Sequence, residues 1–298
     1  MSKADKIFKE TCKEILNYGV YDLPDSKIRP KWEDGSDAHT IKKFGIVNEY
    51  DLSEEFPAIT LRPTALKTAM DEILWIWQKC SNNIHELNSH IWDQWADEHG
   101  LIGKAYGWQV GNKFQTIRTT KEKLEKVHPN NNYEVIDETA KVNQIDYIIH
   151  EIMFNPNSRR IIGNLYNIED LDSMNLHPCC YSITFDVTND TLNLLLNQRS
   201  NDVLVANNWN VAQYAILLMM IAQVTNKKPG KLIHMIANAH IYDRHIDIIK
   251  GLIERTEFKA PRVSLNKEIT NFYDFTTKDL IVEDYYHGDQ IKNIPVAE

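Results

Sequence analysis

Two short stretches carry side chains whose types and spacing suit chemistry. In His177-Pro178-Cys179-Cys180 a thiol directly follows a proline, whose ring fixes the backbone so that the Cys179 sulfur projects from a rigid turn. Free cysteines are also common core filler, so Pro-Cys alone fits two buried thiols as well as a nucleophile. Gln198-Arg199-Ser200-Asn201-Asp202 ends a strand with a cation, a hydroxyl, an amide and a carboxylate. That set suits phosphate capture and polar recognition of a base; it also fits a solvated strand end. Glu72 sits on an otherwise apolar helix face, where burial is costly unless the carboxylate is paired, which points to a site role. Arg159-Arg160, after Asn-Pro-Asn, read by themselves as a solvated loop pair.

The elements that must position these residues follow from periodicity. Residues 1–20 predict an amphipathic helix with Ile7, Phe8, Cys12, Ile15 and Leu16 on one face. Residues 22–42 are polar and turn-rich, residues 44–52 read as a strand, and Pro63 opens a helix from about Thr64 to Cys80. The most polar stretch, 112–141, carries a Pro-Asn-Asn-Asn turn and reads as a surface insertion, not a boundary. A helix is expected over 142–155, a hairpin over 181–199, a wholly apolar and hence central helix over about 210–226, and another helix over about 240–256. Short strands and loops follow. Hairpins mixed with unpaired helices favour an α+β fold of one compact domain, 1–298, over a doubly wound sheet.

Composition sets the outer limits. The chain has 298 residues, 43% of them hydrophobic, which is ample for a core and argues against disorder. Lys and Arg number 33 against 42 Asp and Glu, a net charge of −9 that disfavours generic nucleic-acid binding but permits a small anion held by a few arginines. The four cysteines show neither metal spacing nor a disulfide framework, so reduced thiols and no metal are expected. With no apolar run of membrane-spanning length and no signal-peptide core, a soluble cytoplasmic protein is expected.

Placed in order, these stretches closely resemble the thymidylate synthase family over nearly the whole chain. The family's Pro-Cys nucleophile motif matches Pro178-Cys179-Cys180, and its Gln-Arg-Ser-x-Asp matches 198–202, followed by Asn210. His-x-Tyr matches His240-Ile241-Tyr242, Ser-Arg-Arg matches Ser158-Arg159-Arg160, and Ile-Trp-Asp-x-Trp matches Ile91 to Trp95. Tyr106-Gly107, the Glu72 segment and the tail Pro295-Val296-Ala297 match as well. The Arg29 to Thr40 loop resembles the longer form of some Bacillus and Bacillus-phage members.

The resemblance implies a thymidylate-synthase-like α+β fold, a mixed or antiparallel sheet packed by helices, paired sheet to sheet in an obligate homodimer. It implies C5 methylation of dUMP to dTMP, with 5,10-methylenetetrahydrofolate as one-carbon donor and reductant and no metal. Cys179 would be the thiolate adding to C6, favoured by Arg199. Arg29, Arg199 and Ser200 of one chain, with Arg159 and Arg160 of the other, would hold the phosphate. Asn210 would read the uracil edge; His240 and Tyr242 would hold the ribose. Glu72 and Tyr106 would serve proton transfers. Asp202, Arg62, Ile91, Trp92, Trp95, Val296 and Ala297 would receive the folate.

Several residues depart from the usual pattern: Cys180 for His, Ala206-Asn207-Asn208-Trp209 for Gly-x-Pro-Phe, Asn238-Ala239 for the usual Gly-Asp pair, Arg62 for Lys and Glu298 for an apolar terminus. The nearest rival is a dUMP or dCMP hydroxymethylase on the same scaffold, in which water captures the C5 methylene. Trp92 and the Pro-Val-Ala tail, which would exclude water, favour methylation. A catalytically silent nucleotide- or RNA-binding member is the rival from another class; the acidic charge and the full catalytic set argue against it.

Overall fold

The structure, a computed structural model, describes residues 1–23, 27–28 and 30–297. Its helices are α1 (Lys3–Tyr18), α2 (Leu66–Trp77), α3 (Gly107–Asn112), α4 (Lys121–Val127), α5 (Gln144–Phe154), α6 (Asn207–Val224) and α7 (Ile246–Ile253). Its strands are β1 (Val20–Tyr21), β2 (Thr40–Asp51), β3 (Phe114–Arg118), β4 (Thr139–Asn143), β5 (Ile162–Asn164), β6 (Cys180–Thr188), β7 (Thr191–Asp202), β8 (Lys228–Tyr242), β9 (Arg262–Leu265) and β10 (Leu280–Glu283). Six strands form the main sheet in the order β1-β2-β8-β7-β6-β5. Every pair is antiparallel except β7 with β8, so the sheet is mixed.

That one parallel pair explains the centre of the fold. Parallel neighbours need a crossover, and α6 supplies it. A crossover helix lying on the sheet under a second helix layer has no solvent face, which is why its sequence is apolar all round. α6 contacts β7 and β8 on one side and α2 on the other. α2 is likewise buried on nearly all sides, including Asp71 and Glu72. On the opposite face of the sheet, Val47 and Met235 are register partners and both remain exposed, as does Phe44 nearby.

α1 packs Ala4, Phe8, Cys12 and Ile15 inward against β2, as its periodicity predicts. The 112–141 stretch folds into the β3–β4 sheet with α4 between its strands, and it buries Ile117, Leu124, Val127 and Ala140. Its tip is tied to α5 through buried Asp146, which accepts from His128 Nδ1 at 3.0 Å and from the Tyr133 hydroxyl. Two expectations need correction. The periodicity predicts no strand over 228–242, yet β8 is fifteen residues long and central. The helix expected from 240 begins only at Ile246, because His240 and Tyr242 finish β8. Among the described residues no helix is long and apolar enough to cross a membrane.

Candidate active site

The ends of β7 and β8 and the start of β6 converge on one cavity of about 290 Å³. Strand alternation aims alternate residues at it: Gln198, Ser200 and Asp202 from β7, His240 and Tyr242 from β8. The register sets the parallel strands side by side, Ser200 beside Asn238 and Asp202 beside His240. Cys179 and Cys180 enter where β6 begins, with Cys180 opposite Gln198. α2 adds Glu72 and Ile76, and α6 adds Asn210, Gln213 and Tyr214. Trp92, Trp95, Tyr106, Val296 and Ala297 close the remaining sides.

Cys179 is held by its backbone. Its N–H donates to the Tyr106 hydroxyl at 3.1 Å, and its carbonyl accepts from the Arg199 N–H at 2.9 Å. The Arg199 side chain donates to the carbonyls of Pro178 and His177 at 3.0 and 2.8 Å, and its Nη2 lies 3.6 Å from the Cys179 sulfur. Burial pushes the Cys179 thiol above its ordinary range and the Arg199 guanidinium pulls it back; the balance is upward. The expected net activation by Arg199 is thus only a partial offset. Cys180 is fully buried, and burial with the neighbouring Cys179 and Glu72 charges raises its thiol much further.

Tyr106 has φ 44°, a left-handed conformation that an aromatic residue rarely adopts. The next residue, Gly107, packs directly on the Ser81 backbone, where a Cβ would lie 2.1 Å from the Ser81 carbonyl oxygen. The turn delivers the Tyr106 hydroxyl to the Cys179 backbone, and burial holds that phenol protonated far above its usual range. Glu72 accepts from the Trp209 indole N–H at 2.7 Å. Burial raises its carboxyl, opposed by the Trp209 hydrogen bond and by the nearby polar groups of Gln213 and Trp92.

The amide of Asn210 is oriented by a relay. Buried His234 is neutral, pushed down to about 3 by desolvation, and its Nε2 lies 2.6 Å from Gln198 Oε1. Gln198 Nε2 then donates to Asn210 Oδ1 at 3.0 Å, and Asn210 Nδ2 donates to Gln213 Oε1 at 3.1 Å. Asn210 therefore keeps one oxygen lone pair and one N–H for the cavity. His240 is held by Asn238 at 3.1 Å and kept neutral by burial; burial also pushes the Tyr242 phenol up to about 12.

Asp202 spends Oδ1 on the backbone N–H groups of Leu204 and Val205, which fixes its carboxylate at the rim. Trp92 packs edge-on against both Trp95 and Tyr106, forming an aromatic wall. Arg62 donates to the Leu204 carbonyl, next to Asp202, with its Nε buried and unpartnered. The tail is tied down by His245, whose Nε2 lies 2.7 Å from the Pro295 carbonyl.

Of the residues expected at a site, twelve line this cavity: Glu72, Trp92, Trp95, Tyr106, Cys179, Ser200, Asp202, Asn210, His240, Tyr242, Val296 and Ala297. Arg199 stands behind Cys179, Arg62 behind the rim, and Ile91 is 40% exposed. Arg159 and Arg160 lie exposed on the loop after α5 and do not line the cavity. Arg29 and Glu298 lie outside the described residues. Sequence reasoning marks Trp209 only as a departure from the Gly-x-Pro-Phe stretch beside the base, and misses Gln213 and His245. Helical spacing from Asn210 was a usable signal for Gln213; the other two contacts are tertiary.

A mixed sheet whose strand ends, with α2, α6 and the Trp92–Trp95 segment, gather a held cysteine, an oriented amide and an aromatic wall around one cavity has the make-up of an enzyme active site. Comparison with known proteins narrows this. Residues 6–297 match the family model of thymidylate synthase. Thymidylate synthase 1 of Bacillus spizizenii is 42% identical over 295 residues, 98% of each chain. The thymidylate synthase of Bacillus phage phi3T is 40% identical over the same share of each chain. The solved structure of thermostable thymidylate synthase A from Bacillus subtilis superposes with a TM-score of 0.86 at 40% identity, covering 99% of both chains. The chain belongs to the thymidylate synthase family.

Proposed function

We propose that this chain, as a single catalytic domain, converts dUMP to dTMP with 5,10-methylenetetrahydrofolate and releases dihydrofolate. The observation that carries this reading is the placement of Cys179 and Arg199 against the oriented Asn210 amide across one small cavity. Uracil C5 is a poor nucleophile until a thiolate adds to C6 and turns the ring into an enolate. Cys179 supplies that thiolate. The free N–H of Asn210 donates to O4, and its oxygen accepts from N3–H, so the amide both stabilises the enolate and selects uracil. His240 and Tyr242, side by side on β8, suit the ribose hydroxyl.

Glu72 in its ionised form orders water and accepts protons near C4 and C5, and Tyr106 assists removal of the C5 proton. The folate supplies the one-carbon unit and the hydride when bound. The residues fit a pterin: Trp92 and Trp95 offer an apolar wall, Asp202 a fixed carboxylate, and Arg62 an unpartnered buried N–H. Val296 and Ala297 line the same cavity, and a tail that shuts it against water once substrates are bound would favour methylation over hydroxymethylation.

The phosphate falls to Arg29, Arg199 and Ser200, joined by Arg159 and Arg160 of a partner subunit in a sheet-to-sheet homodimer. Two observations support this. The exposed sheet face carries apolar Phe44, Val47 and Met235, and Arg159 and Arg160 stand exposed on a loop away from their own chain's cavity. The test is the reaction itself, followed at 340 nm for dihydrofolate and by product mass. dTMP is expected, and 5-fluoro-dUMP with the folate should leave an adduct on Cys179. Hydroxymethyl-dUMP with tetrahydrofolate as products, or an adduct on Cys180, overturns the corresponding assignment.

A further inference from the structure

Glu72 is 5% exposed, and its carboxylate faces the cavity that holds Cys179. A buried carboxylate must be held by donors or it protonates. The short contact comes from Trp209 on the first turn of α6, whose indole Nε1 lies 2.7 Å from Glu72 Oε2 across the α2–α6 packing. Trp209 does not itself line the cavity, so it reaches the reacting atoms only through Glu72. Gln213, one turn further along the same helix, does line it, and its Nε2 is buried without a geometric partner while its Oε1 is committed to Asn210. Cys180, the residue after the nucleophile, lies near Glu72 but offers only a weak S–H donor.

We propose that Trp209 is a positioning residue for the reaction: its indole N–H fixes the orientation of the Glu72 carboxylate toward the substrate cavity. This rests on the reading of Glu72 as the group that handles protons at the base. The indole is well suited, being a donor with no acceptor, so it can pair only with ionised Glu72 or with a carboxyl oxygen bearing no proton. A phenylalanine would fill much of the same space and leave Oε2 without its donor. Since that hydrogen bond opposes the effect of burial on the carboxyl, its loss shifts Glu72 toward the protonated form.

The test uses wild type, Trp209→Phe, Glu72→Gln and the double variant, with kcat and KM for dUMP measured across the pH range. Trp209→Phe should lower kcat roughly 10- to 100-fold, the worth of a hydrogen bond to a charged group. KM for dUMP should change less than about threefold, and the acid limb of the kcat profile should move up by about one pH unit. In the Glu72→Gln background the same substitution should cost less than about twofold. A wild-type acid limb in Trp209→Phe, or an equal fold loss in the Glu72→Gln background, overturns the inference. Wild-type protein that makes no dTMP instead overturns the reading of the reaction. Should Trp209→Phe not fold, indole-labelled wild type answers by NMR: one N–H resonance should lie downfield and move upfield in Glu72→Gln. If no indole resonance responds to that change, Trp209 does not hold Glu72.

Discussion

Gln198 donates through Nε2 to Oδ1 of Asn210, and this one contact decides which face of the Asn210 amide a base would meet. The relay from His234 fixes Gln198, so Asn210 presents one N–H and one oxygen lone pair in a set order. That order matches O4 and N3–H of uracil and mismatches the amino group of cytosine. Asn210→Asp should weaken the preference for uracil. An Asp oxygen would face Gln213 Oε1 without a proton between them, and dUMP would lose its donor to O4. The selectivity of kcat/KM for dUMP over dCMP should fall by roughly 5- to 150-fold, the worth of about 1–3 kcal/mol for one unpaired buried polar group. Steady-state assays with both nucleotides check it; unchanged selectivity would remove Asn210 from base recognition.

The pH behaviour of Cys179 follows from two opposed influences. Burial raises the thiol and Arg199 lowers it, with the net shift upward. Reactivity toward iodoacetamide in the free enzyme should therefore rise with pH, with a midpoint above the ordinary thiol range. Arg199→Gln removes the lowering influence and should move the midpoint higher still. Arg199→Lys keeps the charge but not the fork that grips the carbonyls of His177 and Pro178, so it should recover part of the shift. Alkylation mapped by mass spectrometry should fall on Cys179 and spare buried Cys180. A midpoint that is the same in wild type and Arg199→Gln would show that the 3.6 Å contact does not act on the sulfur.

Much of this was legible beforehand because local pattern and global packing agree. The apolar run of α6 could only be central, and the alternation of residues 181–199 could only be a hairpin. β8 escaped notice for a physical reason. Lys228, Pro229 and Gly230 are poor strand formers, and its apolar alternation is broken where polar His234 is buried and where Ala239, His240 and Ile241 are buried in succession. The site residues on β7 and β8 were recognisable by motif. Their order in space was not, since it depends on the parallel register that sets Asp202 beside His240. Trp209 and His245 act through contacts 137 and 50 residues apart, to which no sequence period corresponds.

Arg159 and Arg160 yield a prediction about assembly. Arg160 is anchored only by its backbone, where its carbonyl accepts from the Tyr147 hydroxyl at 2.7 Å; no ion pair to either side chain occurs among the described residues. If a partner subunit's cavity receives them, Arg159→Ala and Cys179→Ala subunits should each be nearly inactive alone. Mixed and allowed to exchange, they should regain about a quarter of wild-type activity, because half the dimers would be hybrids with one intact site of two. Size-exclusion chromatography with light scattering should give a dimer for both variants. Exchange proven by mass tags without recovery of activity would place the phosphate site within one subunit.

His245 links the tail to Asp202 at the rim of the site and should make tail docking depend on pH. Its ring is buried between Nε2 contact with the Pro295 carbonyl at 2.7 Å and an approach of Nδ1 to Asp202 Oδ1 at 3.6 Å, with Trp32 and Tyr242 packed edge-on around it. Burial alone would lower its pKa, but Asp202, the Pro295 carbonyl and Asp243 outweigh that, and the balance is upward. A group raised on folding contributes its stabilisation fully below its unfolded value, near 6.5, and loses it as pH climbs through the raised value. The imidazolium donates from both nitrogens, so the docked tail should be tighter at pH 6 than at pH 9. KM for the folate should accordingly rise several-fold, roughly 3 to 10, across that interval in wild type. His245→Gln can still donate to Pro295 but carries no charge, so its KM should start higher and vary little with pH. Carboxypeptidase digestion of the tail offers a direct second measure, with wild type protected at pH 6 and both proteins cleaved alike at pH 9. Equal pH dependence in the two proteins would assign tail closure to Val296 and Ala297 packing alone.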